Sequence, residues 1–205
     1  MLYNAGFNYI IKMPKDYIEG NKYPLILFLH GAGERGCDEK SLTPIGPLRT
    51  GLEEYIEDFV VVSPQCPLEI TWFDVSESLD KFIDFVINLP FVDNKRIYLT
   101  GLSMGGYGAF QIAMRTPSKF TALVTCCGGG MYWNAEKLKD LPTLAYHGID
   151  DDIVSFEESV KMVHSINKFG GNAKLITCYN CGHGCWDYAY ANKEMYKWLL
   201  SHKKI

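Results

Sequence analysis

Six short apolar runs, rich in β-branched and aromatic residues, alternate along this chain with segments of helical periodicity, and that alternation leaves few folds open. The runs occupy residues 23–31, 58–65, 95–101, 120–129, 141–148 and 173–180. Most stay apolar without alternating, as strands covered on both faces do. Between them, residues 74–89 place Leu79, Phe82, Ile83 and Val86 on one helical face, with Asp74 and Glu77 spaced as a capping box. Residues 155–171 repeat Val160, Val163 and Ile166 or Asn167 before two glycines stop the pattern, and residues 190–204 predict a last helix. Residues 7–17 read as an edge strand running into a turn, because Pro14 cannot serve a central ladder. The expectation is an α/β fold over residues 1–205, with a mostly parallel sheet wrapped by helices.

The bulk numbers agree with one domain. A chain of 205 residues can bury about 70% of its unfolded surface. With 47% hydrophobic and 21% charged residues it reads as globular, neither disordered nor membrane-embedded. A net charge of −4 supplies no basic field for phosphates, so nucleic acid and anionic membranes are not expected partners. No run approaches the roughly 18 apolar residues of a membrane span. Seven cysteines, an odd number, in a chain that opens without a basic-then-apolar leader, predict free thiols and a cytoplasmic location.

Function gathers at the carboxyl ends of strands in open α/β sheets. Ser103 sits at such an end, in Gly101-Leu102-Ser103-Met104-Gly105, which fits G-x-S-x-G between a strand and a helix. Such a turn exposes the hydroxyl while the glycines let strand and helix pass closely. A strand-to-helix turn whose serine is only an N-cap would show the same five residues, so the rest of the chain must decide.

A serine hydroxyl needs a base, and the base needs a carboxylate to fix its tautomer. Of five histidines, His183 lies in a glycine-flanked loop after the last strand. Asp150, Asp151 and Asp152 follow the strand before it and are equivalent at this level of reading. The order serine, aspartate, histidine, each on its own post-strand loop, is the triad order of α/β-hydrolases. Two backbone amides should hold the oxyanion: that of Met104, at a helix N-terminus, and that of Ala32 in the turn His30-Gly31-Ala32-Gly33.

Taken together these segments resemble the α/β-hydrolase superfamily, in its compact phospholipase/carboxylesterase and "predicted peptidase" branch, related to dienelactone hydrolases and feruloyl esterases. "YPLILFLHGAGERG", "VVVSPQCP", "NKRIYLTGLSMGGYGAF", "LPTLAYHGIDDDIV" and "CGHGCWDYAY" occur in that family's order across nearly the whole chain. The resemblance implies a sheet of about seven to eight strands, no large lid, and a triad acting on esters without a cofactor. Its pattern H-G-x-x-D-x-x-V falls on His147, Gly148, Asp151 and Val154, which selects Asp151 as the acid. Two departures are Ser155, where the family usually has proline, and Cys181 and Cys185 around His183. Cys178, Cys181, Cys185 and His183 lack the paired two-segment spacing of a structural zinc site, so no metal is expected.

Loop aromatics Trp72, Trp133 and Trp186, with Gln65 at a strand end, are the candidate substrate contacts, and Tyr188 reads as a helix–sheet plug. The widest interval between motifs, from Cys127 to Leu141, holds a small flap at most. The expected activity is hydrolysis of small or aryl esters, including hydroxycinnamoyl or acetyl esters of plant polysaccharides, so the expected partner is a small-molecule or oligosaccharide ester. A peptidase of prolyl-oligopeptidase type, or a binding protein keeping the fold, are the alternatives. Nothing in the sequence sets the oligomeric state.

Overall fold

The computed structural model describes residues 6–204. Seven strands make one sheet: β1 (Tyr9–Lys12), β2 (Tyr23–Leu29), β3 (Val60–Pro64), β4 (Val92–Leu102), β5 (Ala122–Cys126), β6 (Thr143–Gly148) and β7 (Ala173–Cys178). Their spatial order is β1-β3-β2-β4-β5-β6-β7. Only β1 runs antiparallel, pairing with β3 at the sheet edge, where the chain's early proline does no harm. The other neighbours are parallel, and the all-buried pattern of β3, β5 and β6 accounts for their unbroken apolar runs.

Helices cover both faces. On one side α1 (Ser76–Ile87), α2 (Met104–Arg115) and α3 (Phe156–Lys168) share one core with Leu25, Leu27, Leu29, Val60 and Val62, α3 lying over β6 and β7. On the other, α4 (Cys185–Tyr190) and α5 (Lys193–Leu200) pack with Ile26, Phe28, Val61, Tyr98 and Val124. Alternate residues of β2 thus serve opposite cores, as period-two geometry requires. Among the described residues no helix is long and apolar enough to cross a membrane.

Three local expectations need correction. The capping box at Asp74 and Glu77 does not form, because Asp74 Oδ2 is taken by the Thr71 amide and hydroxyl at 2.8 and 2.7 Å and α1 begins two residues later. The buried face of α3 holds Ser159, Met162, Ser165 and Ile166, whereas Val160 is 37% exposed. Ser159 displaces an apolar residue from that face because it bonds the Gly128 carbonyl and the His147 ring. The last helix is shorter than residues 190–204, α5 starting after Asn192, which caps it by accepting from the Glu194 amide, and ending at Leu200.

Candidate active site

Strands β4, β6 and β7 are each followed by a turn or loop carrying one of Ser103, Asp151 and His183, and parallel register brings the three to the same edge. Gly101 pairs with Leu29 and Thr125, Cys126 with Tyr146, and Gly148 with Cys178, so the strand ends are level. Ser103 follows β4 directly with φ 51° and ψ −118°, a left-handed conformation rare for a residue with a side chain. It occupies the N-cap position of α2, yet its side chain makes no capping bond. Its backbone amide instead donates to Cys126 O at 2.9 Å, which fixes the turn to β5.

The turn closes only because side chains are absent around it. A Cβ on Gly105 would overlap the carbonyl of Leu29, and one on Gly101 would overlap that of Gly105. On the other side, a Cβ on Gly148 would overlap the carbonyls of Cys181 and Gly182. The Asp150 amide donates to Cys181 O at 3.1 Å, so the acid loop and the histidine loop touch backbone to backbone.

The three side chains meet. His183 Nε2 lies 2.9 Å from Ser103 Oγ, and His183 Nδ1 lies 2.9 Å from Asp151 Oδ2. Because a carboxylate only accepts, Nδ1 carries the hydrogen and Nε2 is left to accept from the serine hydroxyl. Asp151 Oδ1 accepts from the Ile153 and Val154 amides at 3.0 and 2.9 Å. Burial alone would raise this carboxyl, but bonds from His183, Val154 and Ile153 outweigh it and hold Asp151 below its ordinary value. Asp150 and Asp152 are exposed.

The glycine turn after β2 lies beside the serine turn: a Cβ on Gly31 would stand 2.8 Å from Leu102 Cδ1. Ala32 opens a single 3-10 turn, Ala32–Glu34, and Met104 opens α2, so helical geometry leaves both amides without an intrahelical acceptor. Arg35 Nε ties the turn through Ala32 O at 2.9 Å.

The candidate substrate contacts divide. Trp186 stands edge-on to the His183 ring at 5.1 Å, beside the triad geometry. Trp72 is 0% exposed, donates its indole N–H to His30 O at 3.0 Å and fills the space left by Gly108, so it is a core residue and forms no substrate wall. Gln65 is buried too, and its Nε2 bonds Glu34 O, Asp38 O and Ser41 Oγ, each at 2.9 Å, as a strut beneath that loop and not a pocket floor. Trp133 is 68% exposed and lines a groove of about 450 Å³ with Tyr132, Lys161, His164, Lys168 and Phe169, none of them a triad residue. Tyr188, at 62% exposed, plugs nothing.

Two neighbours went unread in the sequence. Cys127 has φ 41°, is buried, and brings its Sγ within 4.8 Å of ligand atoms of Asp151 and His183, so a metal ion held there would compete with Ser103 for the imidazole. His147, noticed only as part of a spacing pattern, contacts Asp151 Oδ2 at 3.2 Å. Its signal was the i, i+4 separation from the acid. Cys178 and Cys185 are buried among apolar side chains.

A mostly parallel sheet flanked by helices, with a serine on a left-handed strand-to-helix turn bonded to histidine and aspartate at its carboxyl edge, defines an α/β-hydrolase. Residues 69–197 match the phospholipase/carboxylesterase family model. The chain belongs to that family. It is 27% identical over 140 residues to a bifunctional acetylxylan esterase/xylanase of Neocallimastix patriciarum, covering 66% of this chain and 20% of that protein. It is 28% identical over 172 residues to a probable feruloyl esterase C of Aspergillus niger, covering 82% and 62%. A crystal structure of a thermostable esterase superposes with TM-score 0.85 at 31% identity, covering 96% of this chain and 59% of that one. The chain therefore spans less than two thirds of the length of each of these proteins.

Proposed function

We propose that this chain is a serine carboxylesterase, and the observation that carries the reading is the unbroken hydrogen-bonded line Ser103–His183–Asp151. Ser103 Oγ attacks the ester carbonyl carbon as its proton passes to His183 Nε2. The carbonyl oxygen, now an alkoxide, is held by the Met104 and Ala32 amides. Collapse breaks the carbon–oxygen bond to the alcohol, which leaves with the proton from His183. Water then repeats the sequence on the acyl-serine, its proton going to His183 and its oxygen to the carbon, and the released acid restores Ser103. Asp151 stays ionised throughout and orients the imidazole.

Small acyl or aryl esters, including acetyl and hydroxycinnamoyl esters of polysaccharides, are the proposed substrates. The reading is supported by Trp186 against the His183 ring and by the interval 128–141. That interval folds as a glycine turn and a 3-10 segment, Tyr132–Leu138, lying along α3, and so adds no long lid. The printed names of the feruloyl and acetylxylan esterases point to the same chemistry. Turnover of methyl ferulate, an acetylated xylo-oligosaccharide, p-nitrophenyl acetate, p-nitrophenyl laurate and a prolyl anilide tests it. The acetyl and feruloyl esters should be cleaved, and the laurate more slowly than the acetate. Preferential cleavage of the prolyl anilide, or no cleavage by folded protein, would defeat the proposal. Seven unpaired cysteines support a reducing, cytoplasmic workplace. Disulfides found by mass spectrometry in protein taken from its native host without reductant would contradict that.

A further inference from the structure

Asp151 is a buried carboxylate with two histidines and no lysine or arginine within ion-pair distance among the described residues. One histidine is the proposed base, His183. The other, His147, sits at the end of β6, wholly buried, its ring edge-on to Phe156 at 5.7 Å. Its Nε2 lies 2.9 Å from Val154 O and 3.2 Å from Asp151 Oδ2. Its Nδ1 lies 2.7 Å from Ser159 Oγ, which is in turn 2.8 Å from Gly128 O.

The protons in this chain can be assigned by elimination. Val154 O and Asp151 Oδ2 both accept and cannot donate, so a bare Nε2 would face two acceptors in a dry interior. Nε2 therefore carries a hydrogen. The single Ser159 hydrogen can go to Gly128 O or to Nδ1, and the assignment at Nε2 is the same either way. Asp151 is thus held by the Ile153 and Val154 amides at Oδ1 and by His183 at Oδ2, while the Nε2–H of His147 binds Val154 O, on the turn that supplies those amides. Without His147 the Val154 carbonyl would lose this donor and the turn that grips Oδ1 would lose its tie to β6.

We propose that His147 is a positioning residue for the ester chemistry, its Nε2–H holding the Val154 carbonyl and with it the turn whose Ile153 and Val154 amides bind Asp151 Oδ1, so that the carboxylate holds the His183 ring in line with Ser103. Ser159 and Gly128 anchor His147 in turn, which ties α3 and the loop after β5 to the triad. The inference rests on the proposed role of Ser103, His183 and Asp151.

Two measurements test it. Histidine ring nitrogens of the wild type, observed by two-bond 15N–1H NMR and assigned by the loss of signals in His147→Gln, should show His147 protonated at Nε2. A ring protonated only at Nδ1 overturns the proposal, and this readout needs neither activity nor a folded leucine variant. In kinetics, His147→Leu should lower kcat by about 10- to 100-fold with KM within about two-fold, since a displaced orienting group acts on the reacting geometry. His147→Gln, whose amide can offer an N–H to Val154 O, should recover most of that loss. Equal losses in both variants, no loss in either, or a loss confined to KM would overturn it. Should the wild type cleave no ester, the catalytic reading fails while the tautomer is still tested. Should Ser103→Ala be dead and His147→Leu unaffected, this inference alone fails.

Discussion

Asp151 differs from the carboxylates on either side of it only in what surrounds it. Composition could not separate three adjacent aspartates; spacing within a family pattern could, and the structure puts the middle one on His183 with its neighbours exposed. Asp151→Asn should lower kcat by about three to four orders of magnitude, because an amide can favour the wrong imidazole tautomer. Asp150→Asn and Asp152→Asn should stay within about two-fold, having no role in that tautomer. A steady-state comparison of the three checks this. The tryptophans were less legible, because an indole in a loop carries no mark of its burial. Trp72 spans Phe7, His30 and Gly108 in the interior, so Trp72→Ala should destabilise the fold by about 3–5 kcal/mol, read from urea unfolding. Trp186→Ala, at a half-buried site against the core, should cost less stability than Trp72→Ala and act on KM for aryl esters.

Around the site, elements meet through close backbone approach. Gly105 lets α2 start against the end of β2, and Gly148 lets the acid loop rest on the histidine loop. Gly105→Ala places a carbon against backbone, which cannot rotate away, so its cost should exceed the roughly 1–3 kcal/mol of ordinary overpacking. Gly184→Ala meets nothing within 4 Å and should change stability by less than about 1 kcal/mol. Paired thermal melts measure both. Strand positions were readable as short unbroken apolar runs, and the apolar face of α1 because it follows a period of 3.6. The face of α3 was misread because a serine, which no hydrophobic pattern counts, is drawn inward by the Gly128 carbonyl and His147.

Across the whole molecule, the alternation of elements predicts the layers but not the strand order β1-β3-β2-β4-β5-β6-β7, which depends on long-range pairing that periodicity does not encode. The turn proposed to carry the second oxyanion amide was legible from its glycines at a strand end, and it lies before the segment matched by the family model. The same turn makes the fold sensitive to acid. His30 is buried with Nδ1 against Gly31 O and Nε2 accepting from the Cys66 amide, and burial lowers it from 6.5 to about 4. Between those values the unfolded chain binds a proton that the native state refuses, so stability present above about pH 6.5 drains away as pH falls toward 4. The urea midpoint should drop over that window, and by less in His30→Gln. The line from Ser103 to Asp151 is tested most directly by mass spectrometry after reaction with a fluorophosphonate. One adduct on Ser103 is predicted in the native protein, absent after denaturation and strongly reduced in His183→Ala. A folded wild type that takes no adduct, or takes it on another residue, would contradict the account.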